Sequence, residues 1–312
     1  MTSYNHEVYL SEAIESVLNQ SFGDFELIII DDASRDNSKE IVKNYASQDP
    51  RIKAVYHSEN QGIAKSLNDG LGIAQGKYIS IAASDDLWLA NKLEKQMQIL
   101  SQNDNLIVWS DAYIVDSVGK DTGLLWSERY KITQKKTSGN IFFELLWGNF
   151  ICPQTLILKK DIAEKIGFDK KITYAVDYKF LINLAQQYDF HLIAEPLVKY
   201  RIHDNNTIGK RRDLWNKDMF RIFEAEIRRT DIHMPKRLTA RLLSRMGRYL
   251  LSRKRYRLSR YYLWRAFKQD FPNFSYLWNL FRSYIEAKYN VSATGKSLKD
   301  FFGKIRLSGC CV

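Results

Sequence analysis

Helix-period and strand-period segments alternate over the first 110 residues, and that alternation leaves few folds open. Residues 9–20, YLSEAIESVLNQ, set Leu10, Ile14, Val17 and Leu18 on one helical stripe. FELIIIDDAS is an unbroken apolar run ending in Asp31–Asp32, the pattern of a strand buried on both faces. A second helix is predicted over Ser34–Ala46, capped at Ser34 or Asp36, with Ile41, Val42 and Tyr45 turned inward. RIKAVYH reads as a short strand, IAKSLNDGLGIAQG as a third helix closed by Gly76, and KYISIAA as another strand. This βαβα order implies an α/β fold with a mostly parallel, doubly wound sheet flanked by helices, its chemistry at the carboxyl ends of the strands. Asp31–Asp32 and Asp85–Asp86 both fall at such ends. Adjacent like charges give a strand end little, so both pairs are candidates for function. MTSYN reads as the tail of a strand and its loop, so a truncated or shortened first strand is expected.

Further along, Leu87–Ile99 is predicted as a helix and NLIVWSDAYIVD as a strand and turn. FELLWGNFICPQTLILKKDIAEKIGFD suggests helix, loop, strand and helix. AVDYKFLINLAQQY is a helix opening near Asp177, and FHLIAEPLVKYRIH a strand pair hinged at Pro196. Beyond about residue 212 the pattern is helical: Leu238, Leu242, Leu243, Met246 and Leu250 form a stripe bordered by Arg237, Arg241, Arg245, Arg248 and Arg253. RYRLSRYYLWRAFKQDFP and FSYLWNLFRSYI resemble a helical hairpin joined at Pro272. Charge divides the chain the same way. Residues 210–312 hold 25 Lys+Arg and 8 Asp+Glu, a net +17, whereas residues 1–209 hold 22 and 28, a net −6. Two regions are therefore expected, 1–209 and a basic helical 210–312.

With 312 residues and 45% apolar composition the chain can bury a large core. Cys152 stands alone and Cys310–Cys311 end the chain, too few for a disulfide framework, which favours a reducing compartment. There is no secretory signal and no apolar run long enough to span a bilayer. Gly309 stands where prenylation would require Cys. The expectation is a cytoplasmic protein, either free or peripheral on the inner face of the cytoplasmic membrane.

The succession TSYN, SVLNQSFGDFELIIIDDASRDNS and ENQGIAKSLNDGLGIAQGKYISIAASDD, continued by AVDYKFLINLA and YRIHDNNTI, resembles the family 2 glycosyltransferases of GT-A fold over about two thirds of the chain. The resemblance implies a Rossmann-like nucleotide-diphospho-sugar transferase fold. It also implies inverting transfer of a sugar from a nucleotide-sugar, commonly UDP-linked, with Mn²⁺ or Mg²⁺. Such chemistry needs a cation because a nucleoside diphosphate leaves poorly until its developing charge is neutralised.

Carried onto this sequence, the resemblance makes Asp86 the metal ligand and Asp85 its neighbour at the ribose or behind the metal. Ala83 stands where many relatives have a further Asp. His203 is similar to a late family His beside the pyrophosphate and metal. Asp32 matches the acid that hydrogen-bonds the base, while Asp31 could equally be structural. Thr2 and Tyr4 resemble the loop bordering the base, and Lys65 could reach a phosphate from its helix. Asp177 matches the catalytic base, which takes the acceptor hydroxyl's proton, although an acid there also suits a helix N-terminus. Trp109 and Asp111 are candidates for the acceptor cleft.

For the basic tail three readings stand: a contact with anionic membrane, a packed helical cap with a solvated face, and nucleic-acid binding, the least expected. The expected partners are a nucleotide-sugar donor and a glycan or polyprenyl-linked acceptor, as in the biosynthesis of surface polysaccharide, lipopolysaccharide or capsule. The chain lacks a Q-x-x-R-W motif, so a processive synthase is not expected. The alternative is a catalytically silent nucleotide-sugar-binding or scaffolding protein of the same fold.

Overall fold

Buried strands with polar carboxyl ends organise the structure, a computed structural model that describes residues 1–129, 136–204, 206, 212–271 and 273–289. Pro272, Cys310 and Cys311 lie outside the described residues. The chain forms two compact units, Met1–Asp218 and Met219–Val312. The division falls within a helix, beyond the boundary expected at residue 209.

In the first unit the elements run β1 (Thr2–Ser3), α1 (Leu10–Leu18), β2 (Leu27–Asp31), α2 (Ser38–Gln48), β3 (Ile52–Tyr56), α3 (Ile63–Ile73), β4 (Tyr78–Ser80) and β5 (Leu87–Trp88). There follow α4 (Lys92–Leu100), β6 (Ile107–Val115), β7 (Asp121–Leu125), α5 (Trp126–Arg129), α6 (Phe142–Trp147), β8 (Ile157–Lys159), α7 (Lys160–Ile166), α8 (Val176–Ala185) and β9 (Phe190–Arg201). β1, β2 and β3 are parallel, as the βαβ alternation dictates. Leu27, Ile29 and Ile30 are buried, as are Leu10, Ala13, Ile14 and Val17 of α1.

A six-stranded sheet runs β4-β8-β6-β9-β5, with β7 on β6. It is mixed: β6 and β9 are parallel and the other pairs antiparallel. The β6–β7 pair is antiparallel because a short turn joins the two strands, with Gly119 at φ +84. Thr2 links the sheets through a parallel bridge to Ala83.

The Pro196 hinge is visible in β9, whose pairing with β6 jumps from Ile193↔Ser110 to Val198↔Ala112. The helix predicted over Leu87–Ile99 is shorter, beginning at Lys92. Leu87 and Trp88 instead pair with Lys199 and Val198, and a partner so distant in sequence overrides the local helical period. β1 is only two residues long. Beside it lies a cavity of about 680 Å³ lined by Met1, Thr2, Leu27, Ile28 and Tyr78–Ala82. The Met1 ammonium donates to the Ile28 carbonyl oxygen at 2.7 Å, and burial pushes its pKa down to about 5.

Helix α9 (Arg212–Arg228) crosses the division, and α10 (Lys236–Ser252), α11 (Tyr256–Gln269) and α12 (Phe274–Tyr289) build the second unit. The predicted stripe of α10 is its buried face: Leu238, Leu242, Leu243, Met246 and Leu250 are all buried. No helix among the described residues is long and apolar enough to cross a membrane. α10 and α11 approach closely at Gly247, where an added Cβ would stand 2.6 Å from Leu263 Cγ and 3.2 Å from the Ser259 carbonyl oxygen. Gly247→Ala should therefore reverse the usual helical gain of about 0.5–1 kcal/mol and destabilise this unit by about 1–3 kcal/mol. Urea denaturation followed by circular dichroism checks this.

Candidate functional site

The turn after Ala83 sorts its two acids. Asp86 is 3% exposed, its Oδ1 accepting the Arg201 backbone N–H at 2.8 Å. Its Oδ2 is buried with no hydrogen-bond partner among the described residues. Burial and then the neighbouring Asp85 charge push Asp86 well above the usual carboxylate range.

Asp85 is half-buried, and its Oδ2 lies 3.1 Å from His203 Nε2. His6 completes the cluster, with ligand atoms of His6, Asp85 and His203 all within 4.8 Å of one another. Neighbours hold both rings in place. His6 Nδ1 lies 2.7 Å from Ser84 Oγ, and His203 packs against Tyr9 with ring centroids 4.5 Å apart. Asp86, the residue expected to hold the cation, meets the main chain through one oxygen and is not among the three grouped residues, where Asp85 stands instead.

Arg201 builds the turn. It lies almost wholly buried under Tyr9, its Cζ 4.9 Å from the ring centroid. Nε donates to the Asp85 carbonyl oxygen at 3.0 Å, Nη1 to the Ser117 carbonyl oxygen at 3.1 Å and Nη2 to Glu12 Oε2 at 2.5 Å. Neither His6 nor Arg201 stood out in the sequence. A histidine in a loop and an arginine ending a strand read as surface residues until the fold closes on them.

A second, polar pocket of about 440 Å³ is lined by Tyr4, Asp31, Lys39, His57, Glu59 and Asn60 among others. Its rim joins two loops: Asn5 N–H donates to Ser34 Oγ at 3.0 Å and Arg35 N–H to Asn5 Oδ1 at 2.8 Å. Both loops turn through left-handed backbone, Asn5 at φ 55 and Ala33 at φ 61. Tyr4 is exposed on this rim.

Three other residues expected at the nucleotide site are engaged within the protein. Asp32 is already saturated, its carboxylate accepting the backbone N–H groups of Gln61 and Gly62, each at 2.8 Å, and lying 2.7 Å from His57 Nδ1. It organises the loop, whereas Asp31, which lines the pocket, keeps a buried Oδ2 with no hydrogen-bond partner among the described residues. Lys65 pairs with Asp69, which also meets His57 Nε2 at 3.0 Å, so its ammonium is engaged within its own helix. Thr2 is held by main-chain pairing to Ile30 and Ala83 and lines the apolar cavity instead.

Asp177 stands in the first turn of α8, where its Oδ1 accepts the Tyr178 N–H at 2.7 Å. Asp218 fixes the approach to it, its Oδ2 accepting N–H groups from Thr173, Tyr174 and Ala175 at 2.9, 2.7 and 3.4 Å. Asp177 keeps a partly accessible face, yet desolvation pushes its pKa up to about 6. The Cys152 thiol is pushed well up, first by burial and then by Asp86, with Asp177 and Asp111 adding to it. Asp111 is tied to Ser127, whose Oγ donates to it at 2.5 Å. Trp109 is a core residue rather than a cleft wall, 1% exposed, its indole N–H donating to the Thr137 carbonyl oxygen at 3.1 Å. A base at Asp177 must be ionised to act, so turnover should fall as pH drops through about 6. A pH–rate profile measures that limb.

Residues 1–167 match the model of the family described as glycosyl transferase family 2. This chain belongs to that family. The glycosyltransferase is 35% identical over 206 residues to an uncharacterized glycosyltransferase of Methanocaldococcus jannaschii, a match covering 65% of this chain and 69% of that protein. Among solved structures it superposes on S. aureus TarS 1-349 in complex with UDP-GlcNAc with a TM-score of 0.64 at 16% identity, covering 94% of this chain and 91% of that one. The mannosyltransferase PcManGT from Pyrobaculum calidifontis, in complex with GDP-Man and Mn²⁺, gives 0.57 at 16% identity, covering 93% and 86%. These two likenesses show that the glycosyltransferase has the GT-A fold its sequence implies.

Proposed function

We propose that this glycosyltransferase moves a sugar from a UDP-sugar to a hydroxyl of a glycan or polyprenyl-linked acceptor with inversion, in the building of a surface polysaccharide or other glycoconjugate. The observation that carries the reading is the grouping of His6, Asp85 and His203, brought together from three loops. Two imidazoles and a carboxylate fit a divalent cation, and a mixed nitrogen–oxygen set suits Mn²⁺ better than Mg²⁺, which holds to oxygen and water. Such a cation, when bound, neutralises charge developing on the leaving diphosphate.

The remaining work falls to the chain's own residues. The polar pocket takes the base, with Tyr4 against its face and Asp31 Oδ2 accepting an imide N–H of uracil. Arg201 keeps Asp85 in place through the turn. Asp177 accepts the acceptor's proton while the acceptor oxygen bonds to the anomeric carbon, and the nucleoside diphosphate leaves from the opposite face with the bonding pair. Its raised pKa, near working pH, suits a base that must both take and release a proton.

The test is nucleotide release. Purified protein given UDP-sugars with Mn²⁺ should liberate UDP, faster with a lipid-linked acceptor, and EDTA should stop it. If no donor is consumed under any of these conditions, the silent binding protein becomes the better reading.

A further inference from the structure

In the second unit, apolar side chains stand outside the packing that the helices need. α11 buries Ser259, Leu263 and Ala266. Leu258, Tyr261 and Trp264, three residues apart on α11, remain exposed, Trp264 by 45%. Phe271, just after α11, is 71% exposed, and α12 exposes Leu277, Trp278, Phe281 and Tyr284. Spacings of three and four place each set on one face of its helix. Trp264, Phe267 and Phe271 form a ladder with centroids 5.7 and 5.1 Å apart.

Cations are threaded through these rings. Lys268 Nζ lies 5.3 Å from the Trp264 centroid and Arg265 Cζ 5.4 Å from that of Tyr261. Arg260 of α11 lies 4.5 Å from the Tyr284 ring of α12, which ties the two faces together. α11 carries Arg257, Arg260, Arg265 and Lys268 and no acid.

We propose that this aromatic and basic face of α11 and α12 docks on an anionic lipid bilayer. Trp and Tyr side chains, with an apolar body and a polar edge, favour the headgroup boundary, and adjoining Arg and Lys meet the negative surface. Charge complementarity selects that occupant, because a water-facing helix has no use for a row of Trp, Tyr and Phe. The inference does not depend on the transferase reading.

Cosedimentation of the full chain with vesicles tests it, using phosphatidylcholine alone or mixed with phosphatidylglycerol. The protein should partition onto the mixed vesicles at low salt, weakly onto phosphatidylcholine, and less at high salt. Trp264→Ser with Trp278→Ser, and separately Arg265→Gln with Lys268→Gln, should each lower partitioning by about tenfold or more. Circular dichroism should show both variants folded, and UDP release with a water-soluble acceptor should stay unchanged, which separates failure of docking from failure of catalysis. Absence of binding to the mixed vesicles at low salt overturns the proposal. So does binding that neither variant weakens, or a Trp-dependent dimer on gel filtration in a protein that ignores vesicles.

Discussion

Asp177→Asn is expected to reduce sugar transfer by at least about a thousandfold while leaving UDP-sugar affinity within about twofold. In the proposed mechanism the carboxylate receives a proton and does not hold the donor, and an amide keeps the acceptor oxygen that meets the Tyr178 N–H. The same substitution should stabilise the fold. Asp177 has its pKa raised in the folded state to about 6, so the ionised form costs stability. That cost is absent below the ordinary carboxylate pKa near 4 and complete above about 6, where it is on the order of 2–3 kcal/mol. Asp177→Asn should therefore raise Tm at neutral pH and leave it unchanged near pH 4. Lost transfer with unchanged Tm at both pH values would separate the proton acceptor from the buried charge.

Arg201→Lys should cost far more than its conserved charge suggests. A lysine cannot reach the Asp85 carbonyl, the Ser117 carbonyl and Glu12 together, and it forfeits the stacked plane against Tyr9. The part-buried Asp85 and Ser117 carbonyls lose their donor and a compact ammonium is left in the buried place of the guanidinium, so a loss of about 2–4 kcal/mol is expected, with Tm lower by several degrees. Turnover should fall at least about tenfold even below the melting transition, because the Asp85–Asp86 turn no longer sits in one place. Thermal scans paired with UDP-release rates measure both effects, and a variant with native Tm and native turnover would deny Arg201 its positioning role.

Much of the first unit was legible because its signals are local. The run LIII in β2 and the stripe of α1 follow from side-chain period alone, and the Pro196 hinge reappears as the slipped pairing of β9 on β6. What failed was decided by distant partners. Leu87–Trp88 joins a sheet through β9, more than a hundred residues away. The contacts of Asp32 with the backbone of Gln61 and Gly62 across a loop carry no local signal either. Trp109, a cleft candidate in sequence, is buried against Phe150. Most instructive is the pair Asp85 and Asp86. Within one bend the two side chains meet different partners, so a one-residue error exchanges the accessible acid for the buried one.

The assignment of Asp85, not Asp86, as the cation's carboxylate is the claim on which the mechanism turns. Its most direct test is a Mn²⁺ titration in the presence of UDP, read as the rise in Tm of the wild type, Asp85→Asn and Asp86→Asn. Saturating metal at about a hundredfold its Kd stabilises a native site by about 2.7 kcal/mol. The wild type should show that rise. Asp86→Asn should start from a Tm no lower than the wild type's, because it removes a buried charge beside Asp85 while its amide oxygen still accepts the Arg201 N–H, and it should keep the increment. Asp85→Asn should lose it. A full Mn²⁺ response in Asp85→Asn, with none in Asp86→Asn, would contradict the account.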